Sequence, residues 1–307
     1  MEFWKTMTYR WDGESLGKWS SFRRTAYMLF FLLIYFIIHD VTEILMWAGL
    51  DVMMQSQNQS LVQFLTNHTA TVRGVINGSS ILLGTAIIWP AIRNEICYKQ
   101  TGSERIENRK NVREHKGDET KEGEVLSEKI TRYACVAGIA FCAAVGLNIL
   151  FFQLGITSSS QSFETINEMQ YGVQFAVGLI LYGIISPFTE EAVFRGLLYN
   201  RMKRCFSVGI AMVFSALLFG CYHGNFVQAL YGTILGILIA YLYEKIGGFE
   251  IPVLFHSIAN VSVYVMTYQG KLSRISAVFA WLLAAGALLM GGILLGYAVT
   301  KSNRENK

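Results

Sequence analysis

Charge is what this sequence has least of. Only 16% of its 307 residues are Asp, Glu, Lys or Arg, against 52% hydrophobic, where a soluble domain carries about 25% charged residues. The shortfall is concentrated in long apolar runs. That excludes one or two soluble domains and predicts an all-α polytopic membrane protein. The formal charge of +4 then reports topology and needs no nucleic-acid partner. Metal-type cysteine spacing is missing too. Cys97, Cys135, Cys142, Cys205 and Cys221 form no C-x-x-C pair, and four lie in or beside apolar segments, where a thiol behaves as a small hydrophobe. H-E-x-x-H is absent. A cleavable leader is not expected, because Glu2, Asp12 and Glu14 precede a first apolar run long enough to span.

A spanning helix needs about 20 mostly apolar residues. The chain offers eight candidates: 25–48, 74–92, 133–153, 172–200, 207–222, 226–243, 251–268 and 276–299. The fifth and sixth, separated by "HGNF", also read as one hairpin. "HDVTE" (39–43) interrupts the first and places Asp40 and Glu43 near its far end. Lys5, Arg10, Lys18, Arg23 and Arg24 open the chain; further Lys and Arg gather in 93–132, in "RMKR" (201–204), at Lys245 and in the tail. Segments 49–72 and 154–171 have none, and only Lys271 and Arg274 oppose the trend. The asymmetry predicts both termini in the cytoplasm.

The expected organisation is a cytoplasmic or interfacial segment over 1–24, a transmembrane domain over 25–299 and a cytoplasmic tail over 300–307. The opening interleaves Trp and Phe with basic residues, as an interfacial segment does. The mixed charge of loop 93–132 suits a solvated cytoplasmic helix or a disordered linker. "NHT" (67–69) and "NGS" (77–79) fit the glycosylation pattern, which arises often by chance.

Against this background "SPFTEEAVFRG" (186–196) places three charges inside the fourth span. A charge at a helix centre costs about 2.5–3.5 kcal/mol on insertion scales, so intramembrane ionisable groups point to function. Glu191 and Arg195 stand four apart with the acid first, the order that favours an ion pair on one face. Glu190 lies about 100° round the helix and is left without such a partner. Pro187 frees a carbonyl one turn back, which either opens room for water beside Glu190 or only shapes packing.

Two further polar sites sit in apolar context: His223 in "FGCYHGNF" (219–226), and His256 with Asn260, four apart, in "FHSIANVSV" (255–263). Singly, such a residue bonds a neighbouring helix for about 0.6 kcal/mol. With an unpaired glutamate they point to chemistry. Counted along helices, Glu190 lies roughly 16 Å from Arg201, and Asn260 and His256 roughly 15 and 9 Å from Glu250. His223, roughly 25 Å from Phe206, fits less neatly.

The three stretches resemble the CPBP family of intramembrane endopeptidases, which takes in type II CAAX prenyl proteases and bacteriocin-processing and immunity proteins. Its pattern is a double glutamate with arginine four after the second, then F-x-x-x-H, then H-x-x-x-N. Here these are Glu190-Glu191-x-x-x-Arg195, Phe219-x-x-x-His223 and His256-x-x-x-Asn260, in that order over 172–268.

The resemblance implies a peptidase acting on a membrane-associated or lipidated peptide, with an eight-helix core. Glu190 would be the general base, with His223 orienting water, and His256 and Asn260 would donate to the oxyanion. Glu191 and Arg195, with Phe219, would be structural. No cofactor is required; zinc on Glu190, His223 and His256 is the alternative to direct activation of water.

The substrate is open between a prenylated CAAX protein, a bacteriocin leader and another membrane peptide. With the site expected nearer the cytoplasmic face, the peptide would arrive from that side or laterally. Two other classes compete. A proton-coupled transporter would also use Glu and His, but "PFTEEAVFRG" has no second copy of the kind transporters show. A non-catalytic immunity or binding protein is the remaining alternative.

Overall fold

The structure, a computed structural model, describes residues 2–102, 119–270, 276, 278–287, 289–291 and 293. Among these residues all regular structure is helical. In chain order the helices are α1 (Glu2–Thr8), α2 (Gly13–Gly17), α3 (Ser21–Met54), α4 (Gln59–Asn67), α5 (Thr69–Gly102), α6 (Glu119–Gln153) and α7 (Gln161–Tyr171). Then follow α8 (Phe175–Cys205), α9 (Val208–Tyr222), α10 (Phe226–Ile246), α11 (Glu250–Tyr268) and α12 (Val278–Gly291). Six of them, α3, α5, α6, α8, α10 and α11, are long and apolar enough to cross a membrane; α9 and α12 are shorter. The first seven expected spans fall on helices, the described part of the eighth overlaps α12, and the fold is an all-α polytopic membrane fold.

Helix α3 shows why. Tyr27, Phe31 and Tyr35 recur every four residues and are buried, while Leu33, Ile37, Val41 and Ile44 form an exposed apolar row suited to lipid. Tyr27, Phe31 and Tyr35 pack with Ile81, Ile88 and Ile92 of α5 and Val193, Phe194 and Leu197 of α8 in one cluster. A second cluster joins Val136, Ile139 and Ala140 of α6 to Ile239 of α10 and to Phe255 and Ala259 of α11. Between α9 and α10 the "HGNF" turn closes a tight hairpin, with Gly224 at φ +71°, a conformation few other residues adopt. Above it, a Cβ at Gly220 would overlap the Ala229 carbonyl and the Thr233 hydroxyl. The hairpin reading of these two segments is the one the structure adopts.

Three expectations are corrected. Helix α3 does not end soon after Glu43 but runs to Met54. Its polar stretch is internally satisfied, with His39 Nδ1 2.8 Å from Asp40 and Nε2 3.7 Å from Glu43. In loop 93–132 the described residues follow the helical alternative, since α5 and α6 extend into it, while 103–118 lie outside the described residues. Within that stretch Glu95 is buried, and Arg201, taken as a surface marker, is fully buried. The tail 300–307, Lys271 and Arg274 lie outside the described residues.

Glu95 and Arg201 tie the N-terminal segment to the bundle. Glu95 Oε1 accepts from Arg201 Nε (3.1 Å), Arg204 Nη2 (2.8 Å) and the Tyr27 hydroxyl (3.2 Å), and Oε2 accepts from Arg204 Nη1 (2.7 Å). Arg201 donates onward to the Tyr27 and Met7 carbonyls, each at 2.6 Å. Met7 and Leu16 are buried in consequence. Asp12 caps α2 through the Ser15 amide at 2.6 Å, a bond that holds its carboxyl below the usual range. The opening segment is thus docked structure as well as an interfacial sequence.

Removing one partner of a buried ion pair costs about 3–5 kcal/mol. Glu95→Ala should therefore lower the unfolding temperature in detergent markedly and expose residues before Ser21 to protease. Glu95→Leu combined with Arg201→Met should cost less than Glu95→Ala alone.

Candidate active site

Helix α8 is not uniformly wound. Leu181–Ile185 and Ala192–Tyr199 are π-helical and flank the α-helical stretch Ser186–Glu191. Inserted π turns cluster at functional sites, because the extra residue re-aims the side chains around it. Pro187 explains the first of them. In π winding the Ser186 amide bonds Leu181 O, and the next carbonyl, Tyr182 O, would need an N–H from residue 187, which proline lacks. Asn260 Nδ2 supplies that donor from α11 at 3.0 Å. The carbonyl freed by Pro187 therefore anchors Asn260.

The charged pair expected between Glu191 and Arg195 is present, with Nη1 2.9 Å from Oε1 and both side chains fully buried. Arg195 Nη2 also donates to Gly236 O of α10 at 3.2 Å, and its guanidinium lies 4.4 Å over the Phe219 ring of α9. A Cβ at Gly236 would stand 2.9 Å from Nη2, so this close approach requires glycine. Glu191 Oε1 has a second partner not foreseen in the sequence: His256 Nδ1 of α11, at 2.7 Å. One arginine and one carboxylate thus join α8, α9, α10 and α11.

Glu190 differs from Glu191 in access. Ser186 donates to its Oε1; Oε2 is buried without a hydrogen-bond partner and lies 3.8 Å from His256 Nε2. Glu190 borders a cavity of about 640 Å³, together with Ser186, Phe219, His223, His256 and Asn260, whereas Glu191 does not. His223 Nδ1 is 2.9 Å from Phe219 O. A carbonyl only accepts, so Nδ1 carries the hydrogen and Nε2 presents a lone pair. The rings of His223 and His256 lie 5.0 and 5.6 Å from Phe219, nearly perpendicular to it.

The cavity therefore collects Glu190, His223, His256, Asn260 and Phe219, while Glu191 and Arg195 sit behind it. Despite the longer count to His223, it lines the same cavity as Glu190. The three residues named as zinc ligands do not fit that role as placed. Among the described residues no group of three His, Cys, Asp or Glu side chains is close enough to hold a metal ion.

The wall also includes residues the sequence reading left aside: Ser186, Tyr182, Tyr222, His39 and Asn77. Ser186 stands one turn before Glu190, a spacing that could have flagged it. Nothing local signals His39 or Asn77, which come from α3 and α5. The wall draws on the ends of α6 and α9, the starts of α5 and α10, the first half and middle of α8, and α11 from His256 to Thr267.

Residues 172–262 match the family profile described as type II CAAX prenyl endopeptidase Rce1-like. The chain carries a CPBP-family core. That core implies an intramembrane endopeptidase of the CAAX type in general terms, and it contains all seven motif residues on α8, α9 and α11. The matched residues do not include α3, α5, α6 or α7, which complete the cavity. No curated protein and no solved structure matches the chain.

Replacing Asn260 by leucine strands the Tyr182 carbonyl, at about 1–3 kcal/mol for a buried unsatisfied group. Pro187→Ala restores an N–H at that position. Asn260→Leu should therefore lower the unfolding temperature, and adding Pro187→Ala should recover part of the loss. A double variant no more stable than Asn260→Leu would show that the proline and the asparagine are not coupled.

Proposed function

We propose that the protein hydrolyses a peptide bond of a membrane-associated or lipidated polypeptide, with Glu190 as the general base. The observation that carries this reading is the Glu190 carboxylate, fixed at Oε1 by Ser186 and unpartnered at Oε2 on the cavity wall. A positioned base of this kind contributes about 10²–10⁴-fold.

In the proposed reaction Glu190 takes a proton from water as its oxygen bonds the scissile carbonyl carbon. His223, its Nδ1 tied to Phe219 O, accepts the second water hydrogen at Nε2 and orients the attack. The oxyanion takes the amide hydrogen of Asn260 that Tyr182 O leaves free, and takes Nε2–H of His256 when that ring is doubly protonated. Glu190 then returns its proton to the departing amine as the C–N bond breaks. Glu191 and Arg195 hold His256 and the helix throughout. No step is routed through a metal.

The lining reaches Thr157 and Ser158 in the Lys/Arg-free segment 154–171, which supports substrate entry from that side. In a cysteine-free background, Ser158→Cys and Lys245→Cys should react with membrane-impermeant maleimide from opposite faces of the membrane. Labelling of both from one face would remove this entry route.

The direct test is cleavage of a quenched, prenylated CAAX-like peptide by the full chain in detergent. Glu190→Ala should lose at least about 10²-fold in kcat while remaining folded, and chelator should leave the wild type unchanged. A folded Glu190→Ala protein that still cleaves would overturn the assignment. Activity abolished by chelator would move the chemistry to zinc.

A further inference from the structure

Part of the cavity wall is built from carboxamides. Helix α7, capped by Ser160 at the Phe163 amide (3.3 Å), turns Phe163, Asn167 and Gln170 toward the cavity, a helical spacing of four and three, with Glu164 beside them. Neither the Asn167 nor the Gln170 side chain has a hydrogen-bond partner among the described residues. Also on the wall, Gln228 accepts from Asn225 through Oε1 (2.5 Å) and keeps its own N–H groups. Asn77 uses its Nδ2 toward His39 (3.5 Å) and keeps its oxygen. Free carboxamides presenting both donors and acceptors complement a peptide backbone, which offers the same two groups at each residue. The charge of the wall points the same way. Its ionisable groups among the described residues are Glu164, Glu190, three histidines and tyrosines, with no Lys or Arg. A free C-terminal carboxylate would find no cation on this wall.

We propose that Asn167 and Gln170 of α7, with Asn77 and Gln228 of the same wall, form a subsite for the backbone of an internal, uncharged stretch of polypeptide, and that the site does not read a terminal carboxylate. The inference rests on the peptidase reading and narrows its substrate to a segment recognised by its main chain. Helix α7 lies just before the matched residues 172–262.

The test uses the full chain carrying Glu190→Gln, to prevent turnover, in nanodiscs. Binding of a fluorescent octapeptide of uncharged residues is read by anisotropy, as C-terminal amide and as free acid, against empty nanodiscs. The amide should bind at least as tightly as the acid. Asn167→Leu with Gln170→Leu should weaken both about tenfold, and Gln161→Leu, on the exposed face of α7, should not. Tenfold tighter binding of the acid, indifference to the α7 changes, or binding of neither peptide would each overturn the proposal. Because this readout does not need Glu190, a failed base assignment would appear separately, as cleavage surviving Glu190→Ala.

Discussion

The structure around the cavity depends on one fully buried guanidinium. Arg195 is held by Glu191 on its own helix, donates to the Gly236 carbonyl on α10, and covers Phe219 on α9, while the same Glu191 oxygen grips His256 on α11. Burying an ion pair is expensive, and the pair repays this only where geometry and extra hydrogen bonds are good. Here the outlay buys convergence: four helices are registered against one another within a single turn of α8. The pair also fixes which glutamate is free, since Glu191 is consumed by it and Glu190, one residue earlier, turns to the cavity.

Helix α8 repeats the arrangement one and a half turns later for a different purpose. Arg201 and Arg204 meet Glu95 of α5 and lock the N-terminal segment beneath the bundle. Both clusters put a buried arginine between helices, but only the first borders a cavity. Charge in this protein is therefore divided by access. Where the partners close around it, as at Glu95, it is architecture. Where an oxygen is left facing space, as at Glu190, it is available for chemistry.

Much of this was legible in the sequence because the motifs act at helical spacing. Glu191 and Arg195 at four apart forecast their pair, and His256 and Asn260 at four apart forecast a shared face toward α8. The spans followed from apolar length. What was hidden lay in contacts between distant segments. Glu95 and Arg201 read as water-facing charge, since hydropathy cannot see that each has a partner about a hundred residues away. His39 and Asn77 are single polar residues on helices with no motif. The π winding of α8 leaves no compositional trace, and although Pro187 announced a freed carbonyl, only the fold could say that Asn260 takes it.

The division of labour between adjacent carboxylates is the centre of the account, and isosteric neutralisation tests it directly. The measurement is the apparent unfolding temperature of Glu190→Gln and Glu191→Gln side by side in one detergent. Glu191→Gln leaves Arg195 buried without its counter-charge and should cost about 3–5 kcal/mol. Glu190→Gln keeps an oxygen to accept from Ser186 and removes a charge that no arginine partners, and should leave the unfolding temperature unchanged or raised. Equal losses in the two variants, or the larger loss at Glu190, would contradict the account.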